Sequence, residues 1–219
     1  MIRRLIAEGL GTGILLLAVV GSGIMAENLS GGNTGLALLA NAIATGCVLY
    51  VLITIFGPIS AAFNPIVTLI IALQRNLPLP EAALTIAIQI AGGIAGVWLV
   101  HAQFGLPLLQ ISTHARNGAP QLLSESIATI GLILTIHGGL RHAPDRVATL
   151  VALYITAAYW FTASTSFANP AAAIARSLTD TFAGIAPGDV LGFIVAQVIG
   201  GLAGWIVARW MFGPAHLAS

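Results

Sequence analysis

Two asparagine–proline pairs carry the chemistry legible in this sequence. They are Asn64-Pro65-Ile66, after Ser60-Ala61-Ala62-Phe63, and Asn169-Pro170-Ala171, after Ser164-Thr165-Ser166-Phe167-Ala168. An asparagine carbonyl accepts from the free N–H groups of a first helical turn. Proline fits the first helical position, where its missing donor would have no partner anyway. Each pair therefore reads as a helix start. The apolar runs that follow, about 64–73 and 169–178, are half as long as the roughly 20 residues that cross a bilayer. Two such half-helices would point their positive ends at something inside the protein. The plainer alternative is a pair of loop-to-helix turns at the membrane surface.

Two acids, Glu8 and Glu125, each stand early in an apolar run with a threonine one turn later, Thr12 and Thr129. An ionised side chain there is costly without partners. One reading is a proton or ion relay. The favoured reading is scaffolding, with each carboxylate accepting N–H groups from the non-helical approach to a half-helix. Gln89 and Gln197 are expected to brace those loops or join helix–helix contacts.

These residues sit in a chain of 219 residues that is 58% hydrophobic and 7% charged, with mean hydropathy +0.97. Soluble domains carry about 25% charge, so the composition is that of an integral membrane protein. A net charge of +1 offers no basic face for nucleic acid. The single cysteine, Cys47, excludes an intramolecular disulfide framework and a cysteine-cluster metal site. The apolar run after Arg3 and Arg4 lacks a convincing cleavage site and reads as the first span.

The spans expected are about 5–25, 36–56, 81–103, 122–140, 147–163 and 187–211, with the two half-helices after the second and fifth. The order repeats. Glu8–Thr12 matches Glu125–Thr129, and Gln89 with Gly92-Gly93 and Gly96 matches Gln197 with Gly200-Gly201 and Gly204. The fold class expected is therefore an all-α membrane protein, one domain over 1–219 made of halves at about 1–105 and 120–219. Three spans per half invert the second half relative to the first, and such repeats place their path at the interface. Half-helices entering from opposite faces would bring Asn64 and Asn169 together near the midplane, where two positive dipole ends disfavour cations and tolerate neutral solutes.

A cytoplasmic N-terminus puts Arg3, Arg4, Arg75, Arg141, Arg146 and Arg209 inside, and Arg116 and Arg176 outside, as the positive-inside rule requires. His101, His114, His137, His142 and His216 fall toward span ends and loops, read as surface or interfacial positions without metal-ligand spacing. Trp98, Trp205 and Trp210 read as interfacial. Tyr159 and Trp160 either line the path or face lipid. Arg176 and Asp180, four apart, suggest a local pair. No nucleophile–base set or nucleotide loop is present, so neither an enzyme, a metal nor a cofactor is expected.

With both Asn-Pro motifs, six spans and the Glu markers, the chain resembles the aquaporin and aquaglyceroporin (major intrinsic protein) family along nearly its whole length. Asn169-Pro170-Ala171 is that family's signature triplet, and Asn64-Pro65-Ile66 is its first copy with isoleucine for alanine. The resemblance implies a homotetramer with one pore per subunit. It also implies a selectivity filter at four positions: Ala172, where the family usually has arginine; Ala157, twelve before the second asparagine; Ser166, three before it; and Thr45, or Ala44 if the first loop is not one residue short. That set holds no aromatic residue, histidine or arginine, which predicts a wide constriction. Arg176, about a turn beyond Ala172, is a candidate substitute at the outer mouth.

The run from Phe167 to Ile185 looks like the bacterial aquaglyceroporin branch associated with arsenic resistance. That resemblance implies passage of arsenite, as neutral As(OH)3, and of methylated arsenicals, in a bacterial inner membrane with both termini cytoplasmic. The nearest alternative is a general glycerol, urea and water facilitator. An ion-coupled transporter would need an ion site or a titrating acid in the path. A non-conducting structural protein of the same fold would show a plugged lumen, which Phe63 and Ile66 leave open.

Overall fold

The computed structural model describes residues 1–213; His216 lies outside them. Those residues form eight α-helices and one 3-10 turn, with no strand. In order they are α1 (Ile2–Leu29), α2 (Thr34–Phe56), α3 (Pro65–Leu73), α4 (Leu79–Gln103), α5 (Ala119–His142), a turn at Pro144–Arg146, α6 (Val147–Phe161), α7 (Pro170–Arg176) and α8 (Pro187–Phe212). This is an aquaporin-like arrangement, six long helices and two short ones. Local chemistry sets the boundaries. Asn33 caps α2 by accepting from the Leu36 amide at 3.1 Å. Proline occupies the first turn of α3, α4, α5, α7 and α8.

Among the described residues, five helices are long and apolar enough to cross a membrane. The expected fifth span is shorter than the rest. α6 has 15 residues, about 22 Å of helix. It stops at Phe161 because Thr162 turns extended (ψ 139°), and the chain then runs non-helically to Asn169. α7 likewise ends at Arg176, two residues before the expected limit.

α1 packs along α4 and α5 along α8, while α2 and α6 join the two pairs. The small residues explain how close the first two contacts are. A Cβ on Gly96 would lie 2.2 Å from the Gly13 carbonyl oxygen, and one on Gly200 would lie 2.4 Å from that of Ser126. α3 and α7 both pack against α4 and α8, wedged inside the bundle rather than on its surface. The largest buried cluster runs down the middle through Leu16, Val20, Val97, Val100 and Ala128. Large apolar side chains such as Leu39, Ile43, Leu153 and Ile199 face outward, as lipid-facing residues do.

Candidate functional site

The two short helices start back to back. Asn64 (φ −154°, ψ 120°) accepts from the Ile66 amide at 2.9 Å and donates from Nδ2 to the Ala168 carbonyl at 2.7 Å. Asn169 (φ −156°, ψ 110°) accepts from the amides of Ala171 and Ala172 at 3.0 and 3.3 Å and donates to the Phe63 carbonyl at 2.9 Å. Each asparagine thus caps its own helix and grips the other's approach. Pro65, Ile66, Pro170 and Ala171 are buried behind them. Ile66 turns its side chain toward Gly201 on α8 and away from the cavity described below.

The approach segments are strained, and buried acids hold them. Phe63, Thr165, Ser166 and Ala168 have φ of 47°, 61°, 53° and 45°, the left-handed region that non-glycine residues rarely occupy. Glu8 accepts from Ser60 Oγ (2.5 Å), the amides of Ala62 and Phe63 (2.8 and 2.7 Å) and Gln89 Nε2 (2.8 Å). Glu125 accepts from Ser164 Oγ (2.6 Å), the amides of Phe167 and Ala168 (2.9 and 2.8 Å) and Gln197 Nε2 (2.6 Å). Both acids are fully buried, and neither lines the main cavity. Four donors per carboxylate offset the desolvation of a buried charge. The glutamines brace the acids rather than the loops directly.

A cavity of about 570 Å3 passes the asparagines. Its walls include Pro144, Asp145 and Leu140, then Val151, Ile155, Asn64 and Asn169, then Thr45, Tyr159, Ser166, Ala172 and Arg176. Thr45 is in this wall and Ala44 is not. Ala157 is a correction: it is exposed on the outer side of α6 and absent from the wall. The stripe of α6 that faces the cavity is Val147, Val151, Ile155 and Tyr159, spaced by four. Ala157 stands two residues off that stripe, about 200° round the helix. Counting twelve back from Asn169 assumes a longer connection than the offset of ten from Tyr159 to Asn169. Tyr159 therefore takes the inward position and shares a 3.2 Å hydrogen bond with Thr45. Trp160, its neighbour, faces outward and is half exposed, so of the two aromatics only Tyr159 lines the path.

The wall is also not free of arginine. Arg176 is 3% exposed, its Cζ lies 3.4 Å from the Phe167 ring centroid, and Nε donates to the Ala183 carbonyl at 2.5 Å. It does not pair with Asp180, because α7 ends at Arg176 and the two are no longer one helical turn apart. Asp180 instead accepts from the amide and hydroxyl of Thr113 at 2.7 and 2.9 Å. Those bonds, the backbone one foremost, hold its carboxyl below the usual value, with desolvation opposing them and His114 adding the smallest help. Ser166 Oγ is buried in the wall without a hydrogen-bond partner.

Sequence reasoning missed Arg116, a loop residue whose guanidinium lies 5.2 Å from the same Phe167 ring and donates to the Gly184 carbonyl at 2.7 Å. No spacing signal in a polar loop marks it. It also misread two histidines. His101 and His137 are fully buried, the first between the Leu108 carbonyl and Thr179 Oγ1, the second between the Ile133 carbonyl and Gln74. His114 and His142 are exposed.

The family model for Major intrinsic protein matches residues 1–204. The chain is 53% identical over 215 residues to Aquaglyceroporin AqpS of Rhizobium meliloti (strain 1021), covering 98% of this chain and 92% of that one. It is 33% identical over 141 residues to Probable aquaporin PIP2-8 of Arabidopsis thaliana, covering 61% of this chain and 51% of the relative. Among solved structures, the X-ray structure of the aquaglyceroporin from Plasmodium falciparum superposes with a TM-score of 0.69 at 20% identity, covering 95% of this chain and 94% of that one.

Proposed function

The chain belongs to the major intrinsic protein family, and from that premise we propose that its cavity conducts arsenite and methylated arsenicals. At the coarser level it is an aquaglyceroporin, a multi-pass membrane channel for small neutral solutes, and not an enzyme. In the proposal, Asn64-Pro65-Ile66 and Asn169-Pro170-Ala171 form the pore midplane. Glu8 and Glu125 are its structural acids. Thr45, Tyr159, Ser166 and Ala172 form the filter, with Arg176 at the outer mouth. The protein works as a homotetramer in a bacterial inner membrane, with both termini cytoplasmic, and the single domain is an inverted repeat.

One observation carries the reading: the cavity joins an apolar wall to a sparse polar one. Leu16, Val19, Leu132 and Val151 supply the first, and the two asparagines, Thr45, Tyr159 and Ser166 the second. A compact triol such as As(OH)3 presents hydroxyls to one side and is indifferent to the other, as pockets for small neutral ligands require. Ala172 and Ser166 leave room that an arginine at position 172 would fill. The unpartnered Ser166 hydroxyl suits a glycerol or urea facilitator equally, which is the second reading.

Flux into liposomes decides between them. Arsenite, methylarsenate, glycerol and water are compared for the wild type and Ala172→Arg. Arsenical flux that does not saturate, and that the arginine cuts more than it cuts water flux, supports the metalloid channel. Glycerol flux with arsenicals excluded leaves the facilitator.

A further inference from the structure

Arg176 is a buried charge with no ion-pair partner among the described residues. It is 3% exposed and in the cavity wall, yet no carboxylate reaches it. The acid nearest in the chain, Asp180, is held by Thr113. Glu125 is occupied by its four donors. Arg116 adds a second positive charge near the same Phe167 ring, and its side chain too bonds only carbonyls and a hydroxyl. Glu125 is near enough to act on both guanidiniums through space but bonds neither, and a buried cation with no directly bonded counter-charge is unfavourable unless the site is built for one that arrives.

The donor geometry narrows what would arrive. Nε is taken by the Ala183 carbonyl and one face of the guanidinium is covered by Phe167. The two terminal nitrogens remain, side by side in one plane, the edge that takes a carboxylate-like oxyanion with two parallel bonds. Ser166 Oγ, buried in the same wall and unpartnered, is a further donor, and the Tyr159 hydroxyl shares the wall. Among the described residues no other arginine or lysine lines the cavity, and its midplane is formed by neutral amides, so an entering anion meets one guanidinium directly and a single negative charge suits it best.

We propose that Arg176, with Ser166, forms a binding site for a small monovalent oxyanion of the carboxylate type at the outer end of the cavity, so that the anion competes there with neutral solutes. This rests on the channel reading. Bound anion neutralises the guanidinium and occludes the path. The neutral conjugate acid lacks that hold and behaves like any other permeant.

The test is glycerol flux into liposomes holding the full-length protein, at pH 7.5, with external sodium acetate exchanged for sodium chloride at constant ionic strength. Each protein is normalised to its own flux in chloride. Expected are saturable inhibition by acetate in the wild type, at least a tenfold rise in the half-inhibiting concentration in Arg176→Gln, and a smaller rise in Ser166→Ala. Arg176→Lys, which keeps the charge without the fork, should fall between wild type and Arg176→Gln, and it carries the test if the glutamine variant does not assemble. Equal flux in acetate and chloride, or inhibition unchanged in Arg176→Gln and Arg176→Lys, overturns the site. Absence of glycerol flux in the wild type in chloride counts against the channel reading instead; calorimetric titration of acetate into the detergent-solubilised protein then decides the site alone, with 1:1 binding that Arg176→Gln abolishes supporting it and no binding overturning it.

Discussion

Asn64 and Asn169 hold each other's approach chains: the amide of the first donates to the carbonyl of Ala168, one residue before the second, and the amide of the second to that of Phe63, one residue before the first. The two starts are thus one cross-tied unit. Asn64→Ala removes a helix cap, about 1 kcal/mol, and a cross-tie, about 1 kcal/mol. It should lower the thermal midpoint in detergent and reduce solute flux together. A variant that loses flux with unchanged stability would separate the two roles.

Glu8→Gln and Glu125→Gln place an amide donor among four donors. Gln89 and Gln197 can each turn a free carbonyl oxygen toward the new amide, since that oxygen has no other partner. One backbone N–H still loses its acceptor, at about 1–3 kcal/mol. Both variants should be less stable than wild type by that amount in denaturation measurements. An ion-relay role would instead predict normal stability with altered conductance.

The α1–α4 contact allows no side chain at Gly96, whereas Gly188 has nothing within 4 Å of its missing Cβ. Gly96→Ala should destabilise the chain by about 1–3 kcal/mol. Gly188→Ala, in the first turn of α8, should be neutral or stabilising by up to about 1 kcal/mol. Paired unfolding curves check both.

Tyr159 faces the cavity and Ala157 faces out. Tyr159→Ala should raise the erythritol-to-glycerol flux ratio several-fold, while Ala157→Leu leaves that ratio unchanged. The reverse result would restore the position expected from the motif count.

Asp180 ties its loop to Thr113 through its ionised form. Its pKa is lower folded than unfolded, so this contribution is full above the unfolded value, about 4, and is lost as pH falls through the folded one. Exchange of the Thr113 amide, corrected for intrinsic rate, should be flat from pH 7 to 5 and rise only below about 4. A Leu108 control amide should show no such step.

The helix starts, the buried acids and the bracing glutamines were legible because each is a local signal: a cap, a costly charge, a repeat. The inward face of α6 was not. A family offset counts residues along the chain, whereas the wall is set by helical phase and by where α6 stops, and Thr162 stops it early. Arg176 was legible as a residue but not as a contact, since its partners Phe167 and Ala183 lie in segments without periodicity. His101 and His137 looked interfacial by position. They are buried because loop and half-helix residues, Thr179 and Gln74, fold over them.

The bracing of the acids also orders assembly in time. Gln89 lies on α4 and Gln197 on α8, each made after the short helix it helps to seat. While the chain is being threaded into the membrane, α3 has its acid, Glu8, but not yet the amide that completes it. α7 waits in the same way for α8. The Asn64–Ala168 tie cannot close until the second half has arrived. A chain halted before α8 would therefore keep its earlier hydrophobic spans but have no finished aperture, so insertion and pore formation are separate events: α4 completes the first half, and α8, the last helix to be made, completes the second.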